Sequence, residues 1–295
     1  MTRSAVIINP AKVVDLDERR RELCAALAEA GWPEPLWLPT TPEDPGCGMA
    51  REAAAAGAEV VLVCGGDGTV MAVAGELAGT DVAVALVPSG TGNLLAANLG
   101  IPRTVPEAVA VAVSGVRRRI DVGEVEGAGV FTVMAGIGFD AAMVEQTPDE
   151  AKRRFGVAAY VASGLRNLTR RRMSVRIRLD GGRWHHRTAS TVLVANVGRL
   201  QGGIPLLPGA EPDDGLLDVA VLAPSHLSDW VRLAGGVMLG RGGASHGLET
   251  FRARAVEILA TRDEPRELDG DAIAAERRLA ARVRPGALIV CVPRV

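Results

Sequence analysis

Two short glycine-rich stretches carry the residue types that proteins use to bind phosphate groups. The first reads Gly-Gly-Asp-Gly-Thr and consists of Gly65, Gly66, Asp67, Gly68 and Thr69. The second reads Ser-Gly-Thr-Gly-Asn and consists of Ser89, Gly90, Thr91, Gly92 and Asn93. Each stretch follows an apolar run and precedes a helical pattern, so its backbone N–H groups lie at a helix start, where anions are favoured. The pair predicts two loops that contact one phosphate-bearing ligand.

Asp67 stands out in the first loop because a carboxylate is unfavourable beside a bare phosphate. Two interpretations follow: a Mg²⁺ ion lies between the two groups, or the carboxylate orders its own loop. Thr69 can cap the following helix or contact a phosphate oxygen. The loops match neither a Walker A motif, which needs Gly-Lys-Ser/Thr, nor a Rossmann fingerprint, since Gly90-x-Gly92 lacks the third glycine.

The elements that position these loops alternate between apolar runs and helical patterns. The runs at residues 5–8, 60–64 and 82–87 show no alternation of apolar and polar residues, which is typical of strands buried on both faces. They predict a parallel sheet with helices on both faces. Loops at the carboxyl ends of neighbouring strands in such a sheet face one crevice. We therefore expect an α/β N-terminal domain over residues 1–120.

From about residue 121 the pattern changes to a series of strands. The clearest, Ser-Val-Arg-Ile-Arg-Leu at 174–179, alternates apolar and basic residues and is followed by an Asp-Gly-Gly turn that indicates a hairpin. Two helical patterns, near 151–172 and 225–239, interrupt the strands. The sequence predicts an antiparallel, β-sandwich-like C-terminal domain over residues 121–295.

Composition restricts the partners and the compartment. The chain has 295 residues, 48% of them hydrophobic, and its net charge of −2 gives no strong attraction for nucleic acid, so we expect no nucleic-acid partner. The four cysteines form no Cys-x-x-Cys pair, which argues against a zinc site or a disulfide scaffold and favours a reducing compartment. No apolar stretch approaches the roughly 20 residues that span a bilayer. The sequence predicts a cytoplasmic protein, which would contact the inner face of the membrane peripherally if its substrate is a lipid.

The two loops together resemble the catalytic domain of diacylglycerol kinases and of the related bacterial lipid kinases and sphingosine kinases. The first loop alone is shared with NAD kinases, whereas the full series of matching segments is specific. The further segments, in order along nearly the whole chain, are Asn-Pro at 9–10, Ile-Asp-Val-Gly at 120–123, Gly-Ile-Gly-Phe-Asp at 136–140, Asp-Asp-Gly-Leu-Leu-Asp-Val at 213–219 and Leu-Asp-Gly-Asp at 268–271. The resemblance implies an NAD kinase/diacylglycerol kinase-like fold.

The resemblance also implies ATP and Mg²⁺ as cofactors and a lipid or lipid-like alcohol as the substrate. The reaction would transfer the γ-phosphate of ATP to a hydroxyl of diacylglycerol or a related lipid alcohol. Besides the ten loop residues, Asn9, Pro10 and Thr41 would contact the nucleotide. Asp214 would supply a carboxylate to a structural Mg²⁺ site, with main-chain carbonyls from Glu211 and Leu216. A plain turn before a strand is the alternative interpretation of this last segment.

The catalytic residues implied by the resemblance are Asp67 and Asp271. Asp271 takes the place of the glutamate in the family's Asp-Gly-Glu motif, whose carboxylate is the general base for the attacking hydroxyl. Its side chain is one methylene shorter, so it needs a closer approach. The alternative is that Asp269-Gly270 only forms a hairpin turn.

Three departures from the family pattern keep other functions open. Met71-Ala72, Leu94 and Ala11-Lys12 stand where many members have Asn-Glu, Asp and Ser-Gly. The missing carboxylates make a catalytically inactive nucleotide-binding regulator one alternative. A kinase for a soluble acceptor such as NAD is another: the first glycine loop permits it, while the second loop and the missing Asn-Glu pair argue against it. The basic helical pattern at 151–172 either docks on anionic lipid or packs on the core. A homodimer is left open.

Overall fold

The computed structural model describes residues 2–138, 172–200, 203–224, 229 and 247–294. Contacts divide the chain into two compact units, one of Met1–Val122 with Gly286–Val295 and one of Gly123–Pro285. The sequence-based division at residue 120 differs because it assigns the C-terminal segment to the second domain. In the structure, Ile289 and Val290 of that segment pair with a strand of the first unit.

The first unit contains a parallel sheet and five helices among its described residues. Its strands are β1 (Ser4–Ile8), β2 (Leu36–Pro39), β3 (Val60–Gly65), β4 (Ala83–Pro88) and the start of β5 (Val116–Val125). Its helices are α1 (Leu16–Glu29), α2 (Cys47–Ala55), α3 (Asp67–Leu77), α4 (Leu94–Asn98) and α5 (Val105–Ser114). The strand order β2-β1-β3-β4 is parallel throughout, so the ends of β3 and β4 that lead into the glycine loops lie side by side.

Helices cover the parallel sheet because its strands are apolar on both faces. The strand residues that point to one face of the sheet form a core cluster with residues of α1 and α5. The cluster includes Val6, Leu62, Ala85, Leu23 and Val109. The strand residues that point to the opposite face are buried too, and α2 and α3 pack near β1 and β3. This double burial is the physical reason why the apolar runs show no alternation.

The second unit is built from antiparallel strands. They are β6 (Gly129–Phe131), β7 (Met134–Ile137), β8 (Met173–Leu179), β9 (Trp184–Ala189), β10 (Thr191–Ala195), β11 (Arg199–Leu200), β12 (Ile204–Pro205), β13 (Leu217–Leu222), β14 (Leu248–Ala253), β15 (Ala255–Leu268) and β16 (Asp271–Val292). β15 pairs with β7, β8 and β16, while β7, β10, β13 and β14 pair in succession. Together the two units confirm the predicted fold class.

Two strands of the second unit are longer than the apolar runs that they contain. β15 extends from the apolar run at 255–260 as far as Leu268, and β16 begins at Asp271, well before the apolar run at 287–292. The added segments are rich in charged residues and alanine, which have low strand propensity, and pairing between β15 and β16 overrides that propensity.

Several sequence predictions lie outside the described residues. They are the helical patterns near 151–172 and 225–239 and the Phe139-Asp140 end of the Gly-Ile-Gly-Phe-Asp segment. Within the described part of the chain, no helix is long and apolar enough to cross a membrane.

Candidate functional site

The two glycine loops, residues 65–69 and 89–93, lie against each other at the carboxyl ends of β3 and β4. We call them together the glycine-loop cluster. A Cβ atom on Gly90 would lie 2.7 Å from the Cα atom of Gly66, and one on Gly65 would lie 2.8 Å from the Cβ atom of Thr69. The N–H of Ser89 donates to the carbonyl of Gly65 at 3.0 Å. The glycines therefore allow close backbone packing within the cluster.

Asp67 joins the two loops through its side chain. It is the first residue of α3, and its Oδ1 accepts a 2.6 Å hydrogen bond from the backbone N–H of Leu94, the first residue of α4. A Cβ atom on Gly92 would lie 2.5 Å from Oδ2 of the same carboxylate. The carboxylate thus orders the second loop, whereas the sequence-based interpretation has it order its own loop. Its contact with Mg²⁺ stays a prediction.

Asn93 closes the second loop as a tight turn. Its φ of 48° lies in the left-handed region, which asparagine adopts more readily than most residues. Its Oδ1 accepts from the N–H of Gly90 at 3.1 Å, and its side-chain amide donates to the Gly90 carbonyl. Asn93 is buried, whereas Thr91 at the tip is exposed. The loop is held in one shape by its own side chain, and Thr91 is accessible to a ligand.

Asn9 ties the end of β1 to the first loop. Its backbone N–H donates to the carbonyl of Cys64 at 2.9 Å, and its Nδ2 donates to Oγ1 of Thr69 at 3.2 Å. Its Oδ1 caps the short 3-10 turn that begins at Pro10, which is exposed. The structure therefore brings Asn9 and Pro10 to the same edge of the sheet as the glycine-loop cluster.

Thr41 belongs to a turn at the same edge. The N–H of the preceding residue, Thr40, donates to the carbonyl of Ile8 at 2.8 Å, and Oγ1 of Thr41 accepts from the N–H of Asp44 at 3.1 Å. The Asp44 carboxylate caps α2 by accepting hydrogen bonds from the backbone N–H groups of Gly46 and Gly48. These bonds, above all the one from Gly46, hold the pKa of Asp44 below its usual value. The turn is thus fixed independently of any ligand.

Two arginines that the sequence analysis did not single out reach the second loop. Arg19 of α1 donates to Oγ of Ser89 at 3.4 Å, and Arg103 donates to the carbonyl of Thr91 at 3.3 Å. Guanidinium groups bind phosphate oxygens well, so both are candidate ligand contacts. No local motif marks them, because each arrives from a separate part of the chain.

In the second unit, β15 and β16 are joined by a two-residue turn, Asp269-Gly270. Their φ values of 47° and 94° are typical of a type I′ hairpin. The Asp269 carboxylate accepts from the N–H and Oγ1 of Thr132 and from the N–H groups of Val133 and Met134, at 2.8 to 2.9 Å. Burial raises the pKa of Asp269 to about 6, against the effect of these donors. With four bonds already accepted, Asp269 anchors the chain between β6 and β7 and is poorly suited to act as a base.

Two further carboxyl groups flank this turn, and we call residues 267–271 the acidic hairpin. Asp271 is exposed at the start of β16, so a substrate can reach it. Glu267 is buried, and burial, with smaller contributions from Asp269 and Asp271, raises its pKa to about 7. The hairpin interpretation of Asp269-Gly270 and the base interpretation of Asp271 are therefore compatible. The base role itself stays a prediction.

The segment predicted to hold a structural Mg²⁺ ion forms a turn before β13. Oδ1 of Asp214 accepts from the N–H of Leu216 at 3.0 Å, and its other oxygen is paired with the guanidinium of Arg252. Arg252 also lies 3.5 Å from the carboxylate of Asp218, whose pKa burial raises to about 6. Glu211 is exposed. An internal cation already neutralises Asp214, so a metal ion there would have to displace Arg252.

Metal ligands are not evident elsewhere in the described ranges. Across those residues, no group of three or more His, Cys, Asp or Glu side chains could hold a metal ion. The predicted site at Asp214, with carbonyls of Glu211 and Leu216, stays a prediction, and no chemical step is assigned to it.

Family models match both parts of the chain. Residues 3–125 match the diacylglycerol kinase catalytic domain, and residues 132–292 match the YegS C-terminal NAD kinase beta sandwich-like domain. The first match contains both glycine loops with Asn9 and Thr41, and the second contains the acidic hairpin. The resemblance found in the sequence is thereby confirmed.

Individual relatives agree with these matches. A Pseudomonas fluorescens Pf-5 protein named "Probable lipid kinase YegS-like" is 34% identical over 99% of this chain and 96% of its own length. A Mycobacterium tuberculosis protein named "Diacylglycerol kinase" is 31% identical over 70% of this chain and 68% of its own length.

Solved structures share the fold. A diacylglycerol kinase from Bacillus anthracis str. Sterne has a TM-score of 0.73 at 22% identity, covering 98% of this chain and 96% of that one. An NAD kinase from Archaeoglobus fulgidus in complex with ATP has a TM-score of 0.54 at 12% identity, covering 98% of this chain and 93% of that one. At these identities the likeness concerns the fold alone.

Proposed function

We propose that this chain, which belongs to the diacylglycerol kinase family, transfers the γ-phosphate of ATP to a hydroxyl group of diacylglycerol or a related lipid alcohol. Family membership gives the broader class, a kinase. The lipid acceptor and the Mg²⁺ ion are parts of the proposal. A Mg²⁺ ion bound together with ATP would neutralise charge on the phosphate oxygens.

The observation that carries this proposal is the preformed geometry of the glycine-loop cluster. Gly66 is the N-cap of α3, and the N–H groups of the first helical turn have no acceptor within the helix, which favours an anion. Asp67 and Asn93 hold the two loops in place through hydrogen bonds. Phosphoryl transfer depends mainly on positioning and charge neutralisation, and both are served by a site that is ordered before ATP binds.

The second unit would supply the base. Asp271 is exposed and can receive the proton of the attacking hydroxyl, whereas Asp269 is engaged in four hydrogen bonds. Asp67 would act in the first unit, next to the phosphates. Catalysis would thus use one carboxylate for the phosphates and another for the acceptor hydroxyl.

The test is transfer of labelled γ-phosphate from Mg²⁺-ATP into a mixed lipid extract by the wild type and the Asp67→Ala variant. Asp81→Ala is the matched control, because Asp81 is a highly exposed carboxylate of the same unit. We expect labelled lipid with the wild type and the control and none with Asp67→Ala. No labelled lipid with the wild type, while ATP still binds, would refute the lipid acceptor.

A kinase for a soluble acceptor such as NAD is the second candidate. It is favoured by the first glycine loop and by the fold likeness to an NAD kinase. Adding NAD to the same assay separates the two, because labelled NADP stays in the aqueous phase. ATP binding without turnover of any acceptor would instead support a nucleotide-binding regulator.

A lipid acceptor requires a cytoplasmic enzyme to reach the inner face of the membrane, and the β8–β9 hairpin offers a basic surface for this contact. Residues 172–189 contain five arginines and one aspartate, a net charge of +4 in a chain whose total is −2. Arg176 and Arg178 lie over the ring of Trp184, at 5.4 and 4.7 Å from its centroid. Arg178 is also paired with Glu257, whereas Arg183 is exposed near the hairpin turn. An anionic bilayer complements this charge.

Cosedimentation with vesicles tests this surface. Each basic residue near an anionic bilayer contributes about 1 kcal/mol, so Arg176→Glu/Arg183→Glu should weaken binding to phosphatidylserine vesicles by roughly tenfold or more. Arg20→Glu/Arg51→Glu, on helices of the first unit, changes the net charge equally and should bind like the wild type. Equal loss in both variants would refute a localised contact.

A further inference from the structure

The turn that precedes β13 brings two carboxylates close to one guanidinium group. Asp214 lies in the turn, where Gly215 has a φ of 74°, and Asp218 follows on β13. Nε of Arg252 lies 3.5 Å from Oδ1 of Asp218, and Nη2 of the same side chain donates to Oδ2 of Asp214. One arginine therefore bridges both carboxylates.

Strand register places Arg252 beside Asp218. Arg252 of β14 lies directly opposite Asp218 of the antiparallel β13, and the residue opposite Asp218 on the other side is Ala195 of β10. Directly opposed residues of antiparallel strands have Cβ atoms about 5 Å apart, with their side chains on the same face of the sheet. The sheet thus holds the guanidinium next to Asp218, and from there it reaches Asp214.

The carboxylate of Asp214 has both of its oxygens engaged. Oδ1 accepts from the N–H of Leu216 at 3.0 Å, and Oδ2 accepts from Arg252. The side chains of Asp214 and Asp218 are 21% and 9% exposed, whereas that of Arg252 is 46% exposed. Carboxylates that are largely withdrawn from water need a compensating positive charge, and Arg252 supplies it.

This set of groups fits a guanidinium better than a divalent cation. Mg²⁺ requires near-octahedral oxygen ligands at about 2.0–2.1 Å, whereas a guanidinium carries five N–H donors in a planar fork that can serve two carboxylates at once. In the described part of the chain, no three His, Cys, Asp or Glu side chains are grouped so that they could hold a metal ion. The Asp214 oxygen that a metal ion would bind is already occupied by Arg252.

We propose that Arg252 takes the place of the structural Mg²⁺ ion that the family resemblance implies at Asp214. The turn before β13 is then ordered by a cation that belongs to the chain, so its stability does not depend on the Mg²⁺ concentration. The inference goes beyond the proposed function, because it holds for a lipid and for a soluble acceptor alike. It does not concern the Mg²⁺ ion that would bind together with ATP.

Thermal unfolding of the full chain without nucleotide tests this proposal. The wild type and Arg252→Gln are compared in EDTA and in millimolar Mg²⁺ at equal ionic strength. We expect the Tm of the wild type to be the same in both solutions. Without the guanidinium, Asp214 and Asp218 lose their shared cation, so Arg252→Gln should unfold roughly 3–6 °C lower in EDTA. Mg²⁺ should restore most of this loss by binding the freed Asp214 oxygen.

Arg187→Gln is the matched control, because Arg187 makes a two-bond pair with Glu249 of the same strand, β14. Loss of this pair should also lower the Tm, but Mg²⁺ should not restore it, since a single carboxylate makes a poor metal site. Arg252→Lys keeps the positive charge and should remain insensitive to Mg²⁺. Arg252→Gln/Asp214→Asn should lose the restoration that Arg252→Gln shows.

Binding of Mn²⁺, measured by electron paramagnetic resonance, reports the site directly, because Mn²⁺ prefers the same oxygen ligands as Mg²⁺. We expect a site that depends on Asp214 in Arg252→Gln and none in the wild type. Two results would overturn the proposal: a wild type that Mg²⁺ stabilises and whose Mn²⁺ binding Asp214→Asn abolishes, or a folded Arg252→Gln that Mg²⁺ does not stabilise. If Arg252→Gln does not fold, the wild type and Asp214→Asn still decide the question. These measurements need no kinase activity, so their result is independent of whether a lipid is phosphorylated.

Discussion

The glycine-loop cluster and the acidic hairpin both place carboxylates near backbone N–H groups, yet they use them differently. In the cluster, half-buried Asp67 accepts the N–H of Leu94 and links two loops. In the hairpin, buried Asp269 accepts four hydrogen bonds and fixes a neighbouring segment, while Glu267, two residues earlier, makes none among the described residues. The same functional group thus connects two loops at Asp67, holds a neighbouring segment at Asp269 and is buried without a hydrogen-bond donor among the described residues at Glu267.

The difference shows that donors and burial, rather than residue type, decide the role of a carboxylate. Donors stabilise the charged form, whereas burial without donors stabilises the neutral form. Asp269 receives both influences, and Glu267 receives burial together with two acidic neighbours. Asp271, exposed beside them, is the member of the hairpin that a substrate can reach.

The largest effect is expected from Asp271→Asn. Loss of a general base lowers kcat by about 10²- to 10⁴-fold, and the ATP Kd should not change because Asp271 is proposed to act on the acceptor. Asp271→Glu keeps a carboxylate and should retain most activity. Steady-state kinetics with saturating ATP would measure both, and an active Asp271→Asn variant would contradict the assignment of the base.

Asp269→Ala should act on stability instead. It leaves the backbone N–H groups of residues 132–134 without their acceptor, which we expect to lower the free energy of unfolding by about 3–5 kcal/mol. Asp180→Ala is the matched control, because Asp180 forms a second Asp-Gly turn, is exposed, and accepts from the N–H groups of Arg254 and Ala255. The control should lose about 1 kcal/mol. If urea unfolding shows equal losses of unfolding free energy in the two variants, the buried Asp269 does not stabilise the fold more than the exposed Asp180 does.

Glu267→Gln should change how stability depends on pH. The pKa of Glu267 is raised from 4.5 to about 7, so the folded chain holds this proton more tightly than the unfolded chain does, and stability falls as pH rises through this interval. Between pH 4 and pH 8 the wild type should lose at most about 3 kcal/mol of folding free energy through this group. Glu267→Gln has no such group and should not show this loss. Thermal unfolding across this pH range measures it, with exposed Glu43→Gln as the control. Parallel curves for wild type and Glu267→Gln would contradict the raised pKa.

Gly90→Ala tests the cluster with the smallest expected effect. Its Cβ atom would lie 2.7 Å from the Cα atom of Gly66, so the loops must separate. We expect ATP affinity to fall about tenfold, equivalent to about 1.4 kcal/mol. Gly209→Ala is the control, because a Cβ atom there meets nothing within 4 Å. Unchanged ATP binding in calorimetry would show that nucleotide binding does not depend on the contact between the loops.

The sequence was sufficient to predict the fold class and the neighbourhood of the glycine loops. Buried apolar runs at β3 and β4 followed by glycines indicate a parallel sheet. The carboxyl ends of neighbouring parallel strands lie at the same edge of the sheet, so the two loops are expected to meet. The contact of Gly66 with Gly90 and the bond from Leu94 to Asp67 were not predictable, because they depend on the relative height of two loops. The arginines at 19 and 103 were missed for a similar reason.

The acidic hairpin was only partly predictable. Asp269-Gly270 is a recognisable turn signal, and the family motif pointed to Asp271. Glu267, by contrast, looks like an ordinary polar strand residue within a charged run. Glu267 is buried where it pairs with Gly136, and that pairing joins segments more than a hundred residues apart. Long-range strand register leaves no mark in the local sequence.

The most direct test of the central claim is one reaction that offers both kinds of acceptor. Labelled Mg²⁺-ATP is incubated with the wild-type protein, mixed micelles of diacylglycerol and dissolved NAD, and the label is measured in the organic and aqueous phases. We expect the label to enter the organic phase as a phospholipid and none to enter NADP. Label in NADP alone, or in neither acceptor, would contradict the proposed function.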